Sequence, residues 1–250
     1  MTSRSSVLLT GAGRASSIAH GIARDLAADG WDLALTTWRR YDDTAGYGGG
    51  SGDVAELVDD LTAAGAHVHL MDADLSDPEV PARVVREAAA KLGGLDALVL
   101  SHAHGADSSI LDTTVESFDK HFAVNVRAAW LLIREFARLE RASGRIVALT
   151  SDHIVHNMPY GASKGALDRI VIAAAGELGH LGITANLVNP GPIDTGWMDD
   201  QTRVALTAMQ PTGRLGTPHD AAELVRFLLS EQGSWITGQL IKSDGGFSTH

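Results

Sequence analysis

Short, wholly apolar runs alternate along this chain with longer stretches in which apolar residues recur at helical spacing. Val7–Thr10, Trp31–Thr37, His67–Met71, the run beginning at Leu95, Gly144–Ser151, the run Thr184–Asn189 and Gln239–Lys242 read as strands. Between them, the residues after the first turn up to Gly30, then Val54–Ala64, Glu79–Leu92, Val115–Arg141, the segment opening at Tyr160, and Pro218–Ser230 read as helices. Strands without internal polar alternation are buried on both faces, which is the habit of parallel sheets covered by helices. The expected fold is therefore α/β, a single doubly wound Rossmann-type domain over residues 1–250, with a parallel sheet of about seven strands and helices on both faces. Gly-rich residues 45–53 read as a flexible loop, and residues 195–217 as a substrate-side lid.

Composition narrows the function. With 250 residues, 44% of them hydrophobic, the chain can bury one sizeable core. A formal charge of −11 argues against binding nucleic acid or an anionic membrane surface, because both rely on cationic side chains. The absence of cysteine removes disulfides, thiol nucleophiles and thiolate metal sites. No apolar run approaches a membrane span or a signal segment, so a cytoplasmic protein is expected.

Three places carry candidate chemistry. The first strand runs into GAGRASSIAHG, so a helix N-terminus with unpaired N–H groups faces whatever anion the turn admits; Arg14 adds a positive charge there. After the second strand, Thr36 and Thr37 stand where an acid would meet the ribose of NAD, with Arg39 and Arg40 just beyond, a pattern that favours the 2′-phosphate of NADP(H). Asp74 follows the third strand and reads either as a contact to an adenine amino group or as a helix cap. The third place is the strand–loop–helix from Gly144 to Lys164. Tyr160 and Lys164 lie one helical turn apart and face the same space, and a lysine cation beside a phenol stabilises the phenolate against its ordinary pKa of ~10. Ser151 is placed to hydrogen-bond the same substrate oxygen. Asn125, within an otherwise apolar helix, must satisfy its amide either as a buried structural group or within a polar site.

Thr10-Gly11 with the Gly13-to-Ala19 turn, Asp74, Asn125, Ser151, Tyr160-x-x-x-Lys164, Asn189-Pro190-Gly191 with Thr195, and Ile236-Thr237-Gly238-Gln239 before Asp244-Gly245-Gly246 occur in this order. On these motifs the chain resembles the short-chain dehydrogenase/reductases over nearly its whole length, and most of all 3-oxoacyl-[acyl-carrier-protein] reductases. The resemblance implies an NADP(H)-dependent oxidoreductase that interconverts a carbonyl and a secondary alcohol. Tyr160 would be the general acid or base, Lys164 would bind the nicotinamide ribose, Ser151 would polarise the carbonyl and Asn125 would hold a relay water. It further implies that Gly11, Gly13, Arg14, Ser17, Ile18, Arg39, Asp74, Leu75, Ser101, Pro190, Gly191, Ile193 and Thr195 hold the cofactor together with Tyr160 and Lys164. No metal is implied, and a homotetramer is expected, with contacts on the apolar faces Val126–Leu139 and Leu167–Leu178.

The chain also departs from the family. Leu100-Ser101-His102-Ala103 replaces the usual Asn-Asn-Ala-Gly, and Ser17-Ile18-Ala19 resembles the enoyl reductase branch. That branch sets its tyrosine farther from the lysine, at a position held here by Asn157, so double-bond reduction is disfavoured. His102, His104, His153 and His156 follow neighbouring strands and are expected to line the substrate end, favouring an acidic or phosphorylated group. For an acidic acyl-carrier partner, Arg127, Arg134, Arg138 and Arg141 form a candidate basic face. The alternative function is a catalytically silent NAD(P)-binding regulatory protein of the same fold; the presence of Asn125, Ser151, Tyr160 and Lys164 together argues against it.

Overall fold

The structure, a computed structural model, describes residues 4–44, 51–140 and 143–249. Seven strands, β1 (Ser6–Thr10), β2 (Asp32–Thr37), β3 (Val68–Asp72), β4 (Ala97–Leu100), β5 (Gly144–Leu149), β6 (Ile183–Asn189) and β7 (Leu240–Lys242), form one sheet in the order β3-β2-β1-β4-β5-β6-β7. Every pairing is parallel. The chain reverses its direction of winding between β1 and β4, and a crevice opens beyond the carboxyl ends of the strands on either side of that switch.

Alternate residues of the same strand feed two separate cores. Leu8, Leu98 and Ile146 pack beneath the helices α4 (Val80–Leu92), α6 (Ala129–Ala137) and α7 (Met158–Leu178). Val7, Leu9, Val99 and Val147 pack on the other face against α1 (Ile18–Ala28), α3 (Ser51–Ala63) and α9 (Pro218–Leu229). This two-sided burial is why the central strands read as unbroken apolar runs. A short helix, α2 (Arg39–Thr44), follows β2, and α5 (Val115–His121) precedes α6.

Four element boundaries differ from the sequence expectation. Ser51–Asp53 belong to the first turn of α3 rather than to a loop, since Asp53 at that end complements the helix dipole; residues 45–50 lie outside the described residues. The long helix expected over Val115–Arg141 is α5, then a π-helical stretch Phe122–Ala128 that contains Asn125, then α6, which stops at Ala137. Arg141 lies outside the described residues. β5 ends at Leu149, two residues before Ser151, because Thr150 and Ser151 turn out of the sheet toward the crevice. The lid segment 195–217 contains a helix of its own, α8 (Asp200–Met209), started by the Asp199 side chain accepting from the backbone N–H of Thr202.

Candidate active site

The crevice encloses about 920 Å³. One end is the phosphate-type turn, where Gly11 adopts φ +84° and passes so close to the loop after β4 that a Cβ would lie 2.8 Å from the His102 backbone. Gly13, Arg14, Ser17 and Ile18 line the crevice there. Ser17 caps α1 by accepting from His20 N, and the first turn of that helix carries no acidic residue of its own, while Asp53 accepts from Ala15 N at 3.2 Å in the turn before it. Arg14 donates to the Thr195 carbonyl at 3.0 Å, bridging this turn to the loop after β6. From that loop, Pro190, Gly191, Ile193 and Thr195 all line the crevice, as do Leu75 and Ser101 on the β3 and β4 sides.

At the other end Ser151, Tyr160 and Lys164 line the same space. Lys164 is buried beneath the tyrosine, with Nζ 5.5 Å from the phenol ring centre, and it donates to the Leu149 carbonyl at 2.8 Å. Burial holds its pKa down at about 8, while the nearby Asp168 carboxylate acts in the opposite direction. Asp168 accepts from the Thr150 hydroxyl at 2.5 Å, so two residues one turn apart on α7 both grip the carboxyl end of β5. Burial also raises the pKa of Asp168.

Asn125 is buried, and its amide is fully engaged with protein. It accepts from His104 N at 2.7 Å and donates to His104 O and Ser163 Oγ, both at 2.9 Å. The side chain thus ties the loop after β4 to α7. A π-helical turn is wider than an α-turn and recurs at functional positions; here it carries Asn125, which is buried behind the crevice and does not line it, while Val124 beside it does.

The histidines behave differently from the expectation. All four line the crevice. His102 Nε2 donates to the Val124 carbonyl at 3.2 Å, which leaves Nδ1 to accept from the Thr10 hydroxyl at 2.7 Å. The residue keeps some solvent contact, yet its ring is packed into protein. Desolvation, with the Lys164 charge second, lowers its pKa to about 4. His104 is also held at about 4, by burial first and then by His121 and Lys120. Both are neutral at physiological pH and supply no charge for an anionic group. Among the described residues these histidines form no metal-ligand cluster; the one grouping of that kind is Asp25, His219 and Glu223, on the α1 and α9 surface.

Two expected cofactor residues do not line the crevice. Arg39 starts α2 and points to solvent, because Trp38 takes the place at the end of β2 that faces inward. Asp74 uses Oδ1 to accept from Ser76 N and Ser76 Oγ, closing a local turn ahead of α4. Conversely Trp38, Tyr41, Trp197, Leu206 and Phe247 line the crevice without having been singled out from sequence. Trp38 and Trp197 adjoin flagged positions and could have been found by reading one or two residues further; Phe247 is brought in from the far end by β7 and gives no local signal.

Residues 11–248 match the profile of the enoyl-(acyl carrier protein) reductase family. The chain is 38% identical over 248 residues to the uncharacterized oxidoreductase YjdA of Bacillus subtilis, covering 96% of this chain and 95% of the relative. It is 32% identical over 211 residues to versicolorin reductase 1 of Aspergillus parasiticus, covering 76% and 80% of the two. Among solved structures it superposes with TM-score 0.87 on a blue fluorescent protein from a metagenomic library in complex with NADPH (30% identity, 98% of both chains). A short chain dehydrogenase from Burkholderia cenocepacia in complex with NADP gives the same TM-score (31% identity, 97% of both chains). The winding of the sheet, the crevice at its switch point and these likenesses lead to one conclusion: the chain belongs to the short-chain dehydrogenase/reductase family and is an oxidoreductase.

Proposed function

We propose that this oxidoreductase uses NADP(H) to interconvert a carbonyl and a secondary alcohol, with Tyr160 as the general acid or base. The observation that carries the reading is the placement of Tyr160 over buried Lys164 in a crevice that Ser151 also lines and that the N-terminal turn of α1 borders. A nicotinamide cofactor supplies or accepts the hydride when bound. The crevice fits such a group: the amino end of α1 with Gly13, Arg14, Ser17 and Ile18 suits a pyrophosphate, and Lys164 would lie at the ribose end. Arg14 also provides positive charge for a 2′-phosphate, a role for which exposed Arg39 is less well placed. Two relatives of known structure hold NADPH and NADP, which favours the phosphorylated cofactor.

In reduction, Tyr160 delivers its proton to the carbonyl oxygen while Ser151 Oγ donates a hydrogen bond to the same atom. The cation of Lys164 stabilises the phenolate that remains. Asn125 and Asp168 do not touch the substrate; they fix the loop and the helix that carry these groups. Asn157 sits where a double-bond reductase would carry its tyrosine, so carbonyl reduction is the better reading. Self-association rests on the α6 and α7 faces, where Trp130 and Ile172 are exposed; we expect a tetramer by solution mass. The test of function is a carbonyl panel assayed with NADPH and NADH in parallel, with Tyr160→Phe as the control. Reduction lost in the variant with cofactor binding retained supports the proposal. No turnover by the parent protein refutes it and favours the regulatory alternative.

A further inference from the structure

Resting on that functional reading, the walls beyond Ser151 and Tyr160 identify the kind of carbonyl compound the crevice takes. Ile154 and Val155, in the loop after β5, line the crevice yet are 64% and 71% exposed. Facing groups come from the other side of the mouth. Trp197 is 45% exposed, and its only donor, Nε1, is already bonded to the Ile193 carbonyl, so it offers an apolar face. Leu206 of α8 and Phe247 complete this wall. Apolar side chains left in water around a built cavity are the usual mark of a ligand that covers them.

The charges point the same way. Among the described residues, the side chains of fixed positive type that line the crevice are Arg14 in the phosphate-type turn and Lys164 beneath the tyrosine. Two carboxylates, Asp107 and Asp152, line the crevice as well, the latter paired with Lys242 at 2.9 Å, and His153 and His156 flank the Ile154-Val155 pair. His102 and His104 add no charge because burial keeps their pKa values near about 4. An anionic substrate would therefore find no side chain of fixed positive charge on the apolar walls themselves, since Arg14 lies in the phosphate-type turn and Lys164 lies beneath the tyrosine.

We infer that the substrate is an uncharged ketone or aldehyde carrying an apolar ring or chain, gripped between the Ile154-Val155 loop and the Trp197–Leu206 segment, and that carboxylate or phosphate-bearing carbonyl compounds are rejected. This replaces the expectation that the histidines recruit an acidic group.

A matched pair tests it: methyl para-acetylbenzoate and para-acetylbenzoate, which differ chiefly in charge. Two readouts are needed, kcat/KM with NADPH and binding followed by tryptophan fluorescence. The ester is expected to exceed the acid at least about tenfold in both, since an apolar pocket discriminates by about that factor for small changes. Ile154→Asp on the exposed loop is expected to remove most of the ester's advantage, and Asp107→Asn with Asp152→Asn to narrow the gap from the acid's side. Equal or stronger use of the acid, or no binding of either compound, overturns the inference. So does an Ile154→Asp variant that changes the oligomeric mass while leaving ester selectivity intact, because the patch would then be a contact between copies. If the ester binds preferentially but neither nicotinamide supports its reduction or that of any other carbonyl, the wall assignment stands and the proposed reaction fails. If other ketones are reduced while the pair is not distinguished, the reaction stands and the wall assignment fails.

Discussion

Replacing Asn125 with alanine is the sharpest test of how the site is built. The substitution removes three hydrogen bonds at once, from His104 N and to His104 O and Ser163 Oγ. Ser163 keeps its bond to the Tyr160 carbonyl at 2.7 Å, so only the two backbone groups of His104 are left without their partner. Each orphaned buried group costs about 1–3 kcal/mol, and partial access of water to the half-buried loop reduces the sum. We expect a net loss of about 2–4 kcal/mol, which for a domain of this size lowers Tm by roughly 5–12 °C. Thermal and urea unfolding followed by circular dichroism measure it. Asn125→Asp should be no better than alanine, because a carboxylate would meet the His104 carbonyl without a proton to share. Ser163→Ala, which removes one of the three bonds and also the Ser163 bond to the Tyr160 carbonyl, should cost about 1–2 kcal/mol. Turnover of Asn125→Ala at a temperature where it remains folded should fall at least about tenfold, through loss of registration between the loop and α7. A Tm within about 1 °C of the parent would refute the reasoning, as would an Asn125→Asp variant more stable than Asn125→Ala.

Three further outcomes follow from the same structure. His20, His102 and His104 have pKa values lowered by burial to about 4, so the unfolded chain gains protons as pH falls from about 6.5 while the folded chain does not. Stability should therefore be lost across that window, by on the order of 1–2 kcal/mol per histidine at pH 5, and an unchanged urea midpoint between pH 7 and 5 would contradict this. Asp168→Asn keeps an acceptor for the Thr150 hydroxyl but removes the negative charge that favours protonated Lys164, so the alkaline limb of the activity profile should move to lower pH; Thr150→Val, which keeps the charge, should leave that limb in place. Thr217→Ala removes the capping box at the start of α9 and should cost about 1 kcal/mol with activity unchanged, read from unfolding and initial rates.

Sequence reading reached the architecture because the strands are buried on both faces and therefore written as unbroken apolar runs between periodic helices. It reached Ser151, Tyr160 and Lys164 because one helical turn and one strand end suffice to bring them together. What it missed depends on distant contacts. Nothing local marks Phe122–Ala128 as π-helical, and Asn125 was visible as an anomaly whose partners, His104 and Ser163, lie on two other segments. Arg39 and Asp74 have the right residue types at the right strand ends, but which side chain turns inward was decided by Trp38 and by the competing Ser76. The four histidines line the crevice as expected, but burial lowers the pKa of His102 and His104, which residue type alone does not show.

A division of labour runs through the site. Thr10, His102, Asn125, Lys164 and Asp168 are each hydrogen-bonded to the backbone or hydroxyl groups at the carboxyl ends of β1 and β5, in the loop after β4, or in the helix that follows it. Their positions are inherited from the sheet, whose central strands are buried on both faces. The groups that would meet the body of a substrate, Ile154, Val155, Trp197 and Leu206, sit instead on a loop and a helix packed at the rim. Loops held by few buried contacts accept new side chains at little cost to stability, whereas the anchored layer does not. Gly161 marks the seam between the two: a Cβ there would lie 2.6 Å from the His153 carbonyl, so the rim loop rests directly on the helix turn that carries Tyr160. Substitutions at the rim should therefore alter which carbonyl compound is accepted without altering the proton chemistry, and substitutions at the seam should alter both.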